Sequence, residues 1–237
     1  MIINNRIRIK ETIANIICDE KFYAGVLDEI RAERELLECY IQHDNNFLIS
    51  LKPVEINEQM PEIAKKMCSA SAKVNVGPMA AVAGAISKFG IEKLMSYGGK
   101  FGIIDNGGDI ALITGKEVTI GIYTGQAKIK NIGLKIKPSN TMLGICTSSG
   151  VIGHSLSFGK AHAVTVISAD PLLADAAATA ICNECKIKDA ILIEEVLNKY
   201  YIEGIRGALV VFDDYFGAIG DIPEICESNV DYQLIAK

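Results

Sequence analysis

Apolar and charged residues alternate over residues 6–10, Arg-Ile-Arg-Ile-Lys, and an apolar run occupies residues 14–18. A period of two belongs to strands, so the two stretches predict an opening β-hairpin. Over residues 20–40 the period changes. Phe22, Val26, Leu27, Ile30, Leu36, Leu37 and Tyr40 recur mostly at helical spacing, with Arg31, Arg34 and neighbouring acids on the other face. That pattern predicts a long amphipathic helix, and hairpin plus helix make an N-terminal segment of about residues 1–45. Pro53 and Pro61 punctuate the next stretch, and Pro61 suits the first turn of a helix reaching about Val74.

After Gly77-Pro78 the run MAAVAGAISKFGIEKLM is small and apolar in its first half and amphipathic in its second. It predicts a helix packed closely on a neighbour, its small residues being steric requirements that cost helix propensity, about 1 kcal/mol for each glycine. Beyond Gly98-Gly99, short apolar stretches at residues 101–104, 110–113, 118–123, 132–136 and 142–146 are separated by turn residues. They predict an antiparallel meander. Residues 164–167 read as another strand. Asp170-Pro171 reads as an N-cap with proline at the first position of a helix through LLADAAATAIC. A helix over about residues 189–200 and a strand GALVVF complete the order. Clustered helices and consecutive strands place the chain in the α+β class, with a largely antiparallel sheet, packed helices and one domain over residues 1–237.

Composition narrows the partners. The chain has 237 residues, enough for a sizeable core, and a formal charge of -5 with a pI near 5.3. The basic footprint of a nucleic-acid or anionic-membrane binder is missing, so neither partner is expected. Mean hydropathy is +0.25, yet apolar runs such as residues 79–83 and 208–212 fall far short of the roughly 20 residues that span a bilayer. The alternating N-terminus lacks the apolar run of a secretory signal, which points to a cytoplasmic protein. Seven scattered cysteines suggest reduced thiols.

Four segments could carry chemistry. Asp175 and Thr179 lie four apart on a helix, so a carboxylate and a hydroxyl project from one face, a pair able to hold a hard cation such as Mg²⁺. On spacing alone the commoner arrangement is an exposed Asp and a Thr bonded to the carbonyl one turn earlier. Asn106-Gly107-Gly108-Asp109 reads first as a tight hairpin turn, and second as bare backbone that admits a phosphate or ribose. Thr147-Ser148-Ser149-Gly150, then His154 and Lys160, combine hydroxyls, glycines, an imidazole and an ammonium, which would suit an anion or a serine nucleophile at Ser149 with His154 or His162 as base. A solvated loop explains them equally well. Cys182 and Cys185 lack the further ligands a zinc site needs, and read as thiols near a helix end. Cys18, Cys39, Cys68, Cys146 and Cys226 read as packed small residues, and His43 as a favourable charge at a helix C-terminus.

In this order, the segments VGPMAAVAGA at residues 76–85, DNGGDI at 105–110, CTSSGVIGHSLSFGKAHAV at 146–164 and ADAAAT at 174–179 resemble the uncharacterised ApbE-like proteins, a branch of the superfamily containing the FAD:protein FMN transferases. The resemblance extends weakly through Arg34 and the terminal strand, and so covers nearly the whole chain. It implies an ApbE-like, T-fold-related architecture and a site similar to that of magnesium-dependent flavin transferases, where FAD binds with Mg²⁺ and FMN passes to an acceptor protein. A D-x-x-x-T motif there ligates the metal, which implies Asp175 and Thr179. A G-G-D turn matches Gly107, Gly108 and Asp109, and a T-S-G motif matches Thr147 or Ser148 with Ser149 and Gly150. Lys88 is a loose counterpart of the lysine in the small-residue helix. Two motifs depart: the transferases' His-Ile-x-Asp-Pro-x-Thr-Gly segment is replaced by a short loop holding His154 and His162, and Val76 stands near the place of an Asp. The expectation is a phosphorylated ligand, a flavin nucleotide such as FAD, bound with Mg²⁺, with Ser149, His154 and Lys160 as candidates for catalysis. The alternative is a non-catalytic binding protein with the same pocket, and a homodimer is compatible with either.

Overall fold

The computed structural model describes residues 1–151 and 158–229. Strands β1 (Ile2–Ile9) and β2 (Thr12–Asp19) form the expected hairpin and pair Ile9 with Thr12 across a two-residue loop. Asp19 then ends β2 and caps α1 (Glu20–His43), its side chain accepting from the Lys21 amide. The helix buries Val26, Ile30 and Leu37, the stripe its periodicity predicted. A short α2 (Asn45–Ile49) comes next, then α3 (Glu62–Ala72), with Pro61 one position earlier than expected, at the N-cap. His43 closes α1, with its ring nitrogen 2.7 Å from the Cys39 carbonyl oxygen.

The small-residue run opens with a 3₁₀ turn at Pro78–Ala81 and continues as α4 (Val82–Ser96). Strands β3 (Gly102–Asn106), β4 (Asp109–Thr114), β5 (Val118–Ile122), β6 (Ile132–Ile136), β7 (Ser139–Ser148) and β8 (Ala163–Ser168) come after it. Helix α5 (Pro171–Glu184) begins at the predicted cap, the Asp170 side chain accepting from the Leu172 amide. The chain ends through α6 (Ala190–Tyr200), β9 (Ile205–Phe212), β10 (Tyr215–Gly220) and β11 (Glu224–Glu227).

The strands do not make one meander. An eight-stranded sheet runs in the order β1-β2-β3-β4-β7-β8-β9-β10, while β5 and β6 leave it and pair with β11 in a three-stranded sheet. A register shift between Leu112 and Thr114, where β4 meets β7, marks the point of departure. Every pairing in both sheets is antiparallel. The result is three layers, with the inner strands of the large sheet dividing their residues between two cores. Ile16, Ile104, Ala111, Cys146 and Val166 meet the helices. Ile103, Ile110, Leu112, Ile145 and Ile167 meet Ile120, Ile122 and Leu134 of the small sheet.

Helix α5 lies deepest, with only Thr179, Asn183 and Glu184 not fully buried. Its alanines permit that depth. A Cβ built on Gly144 of β7 would lie 2.5 Å from the Cα of Pro171, and one on Gly84 of α4 would lie 2.4 Å from the Pro171 carbonyl oxygen. Both glycines are there because backbone runs against backbone. Among the described residues no helix is long and apolar enough to cross a membrane.

Candidate functional site

The β3–β4 hairpin places the site. Asn106 pairs with Asp109 across Gly107 and Gly108, whose φ values of 71° and 102° meet the type I′ requirement for two positive φ angles. Asp105 steadies the turn from one side, its Oδ1 accepting from the Gly108 amide at 2.9 Å. Because side chains alternate across a strand, the hairpin divides its acids between the two faces of the sheet. Asp109 shares the helix face with Ala111, and Asp105 shares the opposite face with Ile103.

A cavity of about 910 Å³ wraps this turn. On the helix side it is lined by Val82, Ala83, Asp109, Ser148, Asp175 and Thr179, and between the sheets by Asn15, Ile17, Asp105, Ile110, Ile120 and Ile145. The bare Gly107–Gly108 backbone lies where the two lobes join. A volume near 1,000 Å³ is at the upper end for small-molecule sites.

On the helix side, Asp175 has a structural duty that its local sequence does not reveal. Helix α4 starts without a side-chain cap of its own. Asp175 supplies it from α5: Oδ2 accepts from the Gly84 amide at 2.8 Å, and the Ala83 amide also bonds the carboxylate. The carboxylate thus sits at the positive end of the α4 dipole. Burial nevertheless pushes its pKa up to about 7, against the lowering effect of the two amides. Asp109 lines the cavity beside it. Burial raises its pKa well above the usual range, the Asp175 and Asp105 carboxylates raise it further, and the Cys146 thiol and Thr147 amide oppose the rise. Asp105 is raised by burial, with the Gly108 amide acting against it. Asp109 and Asp175 therefore resist carrying two negative charges together. Cys146 beside them is held up by burial and by both carboxylates, so it is an inert thiol.

The donors on this side, two carboxylates and the Thr179 hydroxyl, are all oxygen, the set that a hard cation takes. The Thr179 hydroxyl makes no hydrogen bond among the described residues, and Asp175 is 7% exposed, so the commoner reading of an exposed Asp and a back-bonded Thr fails. No group of three or more His, Cys, Asp or Glu side chains is arranged to hold a metal ion among the described residues. Oxygen donors of this kind are what Mg²⁺ takes when it uses one or two protein groups and fills its sphere with phosphate and water.

Most of the residues singled out in the sequence line the cavity: Asn106, Gly107, Gly108, Asp109, Thr147, Ser148, Ser149, Asp175 and Thr179. Others do not. Lys88 is absent from the lining and donates to Asp170 at 3.0 Å, because Gly84 faces α5 and the residue one turn further along α4 lands beside the start of that helix. Gly150 donates its amide to the Ala161 carbonyl at 2.9 Å and packs on Gly159. Lys160 is exposed, its amide bonded to the Cys185 carbonyl. His162 accepts from the Asp213 amide at 3.1 Å and is not in the lining. His154 lies outside the described residues. Ser149 accepts from the Val151 amide and lines the cavity, while His162, one of the two candidate bases, does not. Cys182 and Cys185 are buried at the end of α5, as expected, whereas Cys39 is exposed. Asp105, which opens the DNGGDI segment but has no role of its own implied by the sequence, joins the lining. Its strand register, which decides the face it occupies, is not written in the local pattern.

The same chain order recurs in known proteins. The family described as AbpE bacteria matches residues 7–197. A UPF0280 protein of Methanosarcina acetivorans is 42% identical over 99% of this chain and 93% of its own. One of Methanospirillum hungatei is 44% identical over 99% and 95%. Among solved structures, the flavinyl transferase ApbE of Pseudomonas stutzeri in its apo form superposes with a TM-score of 0.60 at 13% identity, over 92% of this chain and 94% of its own. The flavin transferase ApbE of Vibrio cholerae gives 0.56 at 13%, over 92% and 96%. At that identity these likenesses speak for the fold, and the fold is that of ApbE. With most of its length matched by the family and nearly all of it by the UPF0280 relatives, the chain belongs to this ApbE-like family.

Proposed function

We propose that the protein binds a phosphorylated ligand of the flavin-nucleotide class together with Mg²⁺ at Asp175 and Thr179, and that Mg²⁺-dependent flavin transfer or cleavage of the FAD pyrophosphate is the reaction its pocket best fits. One observation carries the reading. Asp175 and Asp109 line the same cavity, the Asp175 carboxylate raises the pKa of Asp109, the partners of the pair are backbone amides and a thiol, and a divalent cation would relieve that repulsion. When bound, Mg²⁺ would supply charge neutralisation on the pyrophosphate. The chain's own residues do the rest. Asp175, held by the α4 amides, and Thr179, one turn away, present fixed oxygens. The Gly107–Gly108 backbone admits the ligand without side-chain obstruction, and Ser148 and Ser149 offer hydroxyls from the end of β7.

The test is direct. The purified protein is scanned for flavin absorbance and incubated with FAD, with and without Mg²⁺, while AMP release is monitored. AMP that appears only with Mg²⁺ and vanishes in Asp175→Ala supports the reading; turnover unchanged in Asp175→Ala refutes the metal assignment, and neither binding nor AMP refutes the flavin assignment. A second reading, a binding or carrier protein that keeps the pocket without the chemistry, is favoured by the sequence, in which the transferases' His-Ile-x-Asp-Pro-x-Thr-Gly segment has no counterpart. FAD binding without AMP or flavin transfer, in the presence of Mg²⁺, would establish it.

A further inference from the structure

The cavity has a second charged end, where the β1–β2 loop meets α1. Lys10 and Glu11 of the loop, Thr12 at the start of β2, and Arg34 and Glu38 of the helix all line it. Thr12 lies two strands across the sheet from Asp109 on β4, which puts roughly 10 Å between this end and the carboxylate end. Arg34 is at its centre, with 12% of its side chain exposed. Nη1 donates to the Thr12 hydroxyl, and Nη2 donates to Glu38 at 2.5 Å and to Glu11 at 3.0 Å. Nε, on the same edge of the planar guanidinium as Nη2, is buried and has no partner among the described residues. A buried donor left unmatched is costly. The two carboxylates are not equal partners. Glu38 is partly buried and also takes the Lys10 ammonium, whereas Glu11 is 86% exposed and reaches Arg34 from a two-residue loop, its carboxylate otherwise bonded to its own backbone amide.

We propose that Arg34 is a receptor for an oxyanion, a carboxylate or phosphate group of the cavity's occupant, which displaces Glu11 and takes the Nε–Nη2 edge with two oxygens. Glu11 is the stand-in for that group: it places one oxygen on one nitrogen, where a two-oxygen anion makes parallel bonds to both. Swinging Glu11 out costs little, because an exposed ion pair is worth little and water solvates the freed carboxylate. Thr12 and Glu38 stay and hold the guanidinium plane in position. An occupant that also reaches Asp175 and Thr179 would carry this acidic group roughly 10 Å from its metal-bound phosphate. The receptor itself uses no metal, and so it stands or falls apart from the metal-phosphate reading.

Calorimetric titration tests this with two probes, inorganic phosphate and malonate, in a buffer free of divalent cations, where the carboxylates at the other end repel an anion. Glu11→Gln keeps the size of the loop side chain and removes the competing charge. Affinity for the preferred probe should rise about twofold to fivefold, the worth of an exposed ion pair that no longer has to be broken. Arg34→Lys keeps the charge and loses the fork, and affinity should fall roughly tenfold. An anion drawn only by positive charge would bind Arg34→Lys as well as the wild type. Whichever of phosphate and malonate binds more tightly identifies the group. The proposal is overturned if neither probe binds the wild type or Glu11→Gln, if Glu11→Gln binds no more tightly than the wild type, or if Arg34→Lys binds as the wild type does. Should Arg34→Lys fail to fold, the comparison of Glu11→Gln with the wild type, at an exposed position, decides the matter alone.

Discussion

Replacing Gly84 by alanine tests the contact on which the carboxylate end is built. On an exposed helix the change would stabilise by about 1 kcal/mol, since alanine is the better helix former. Here the new Cβ would stand 2.4 Å from the Pro171 carbonyl oxygen and 2.9 Å from the Cβ of Asp175, where ordinary contact begins near 3.4 Å. The obstacle is backbone, so no rotamer relieves it. Helix α4 must retreat from α5 by about 1 Å, which stretches the 2.8 Å bond from the Gly84 amide to Asp175. Overpacking costs roughly 1–3 kcal/mol, and weakening a buried charge-assisted hydrogen bond adds roughly 1.5–3 kcal/mol, against the 1 kcal/mol gained. The net expectation is a loss of about 1.5–5 kcal/mol, read as a lower urea midpoint at unchanged m. A midpoint equal to or above that of the wild type would refute the claim that α4 needs glycine for this approach.

Asp175→Asn should change the pH dependence of stability. The folded-state pKa, about 7, lies above the ordinary carboxylate value of 3.8, so the ionised form is disfavoured in the folded chain by roughly 4 kcal/mol. That penalty is absent below about pH 4, grows as pH rises towards 7 and is level above it. Wild type should lose stability across this window more steeply than Asp175→Asn in urea titrations, and a difference between the two that is constant from pH 5 to pH 8 would contradict the assignment. Lys88→Ala, which removes the partly exposed ion pair to Asp170, should cost about 1 kcal/mol or less and leave FAD and pyrophosphate affinities unchanged, so weakened binding would return Lys88 to the site. Asp170→Ala removes the cap bonded to the Leu172 amide and should cost about 1 kcal/mol in chemical denaturation, an effect that Asp170→Asn should largely spare.

Most elements are legible in the sequence because their signals are local. Alternation at residues 6–10, the apolar stripe of α1 and the Asp170-Pro171 start of α5 each carry their own physical cause, and each stands where expected. The partners of the strands are a different matter. Nothing in residues 118–136 says that β5 and β6 abandon their neighbours for β11, because apolar alternation is satisfied equally well by either sheet. The same gap explains the site. Asp109, Asp175 and Thr179 have roles implied by their motifs, whereas Asp105, at the head of the same DNGGDI segment, has none, because its face depends on register with β2. Lys88 fails for the opposite reason: its helix is right, but the rotation that turns Gly84 to α5 carries Lys88 to Asp170. The role of Asp175 as a cap on another helix is tertiary and leaves no trace at its own position.

The two-residue hairpin at Gly107–Gly108 also constrains how this pocket could have diverged. Parity along β3 and β4 decides which acid faces the helices and which the isoleucines, so inserting or deleting one residue within either strand would exchange Asp105 and Asp109 between compartments and send their apolar neighbours with them. Substitution at the lining is open to drift, one residue at a time. Length is not, because no single indel leaves both compartments intact. Homologues that have changed ligand should therefore differ in the identity of their lining residues while keeping the spacing between these two acids at four.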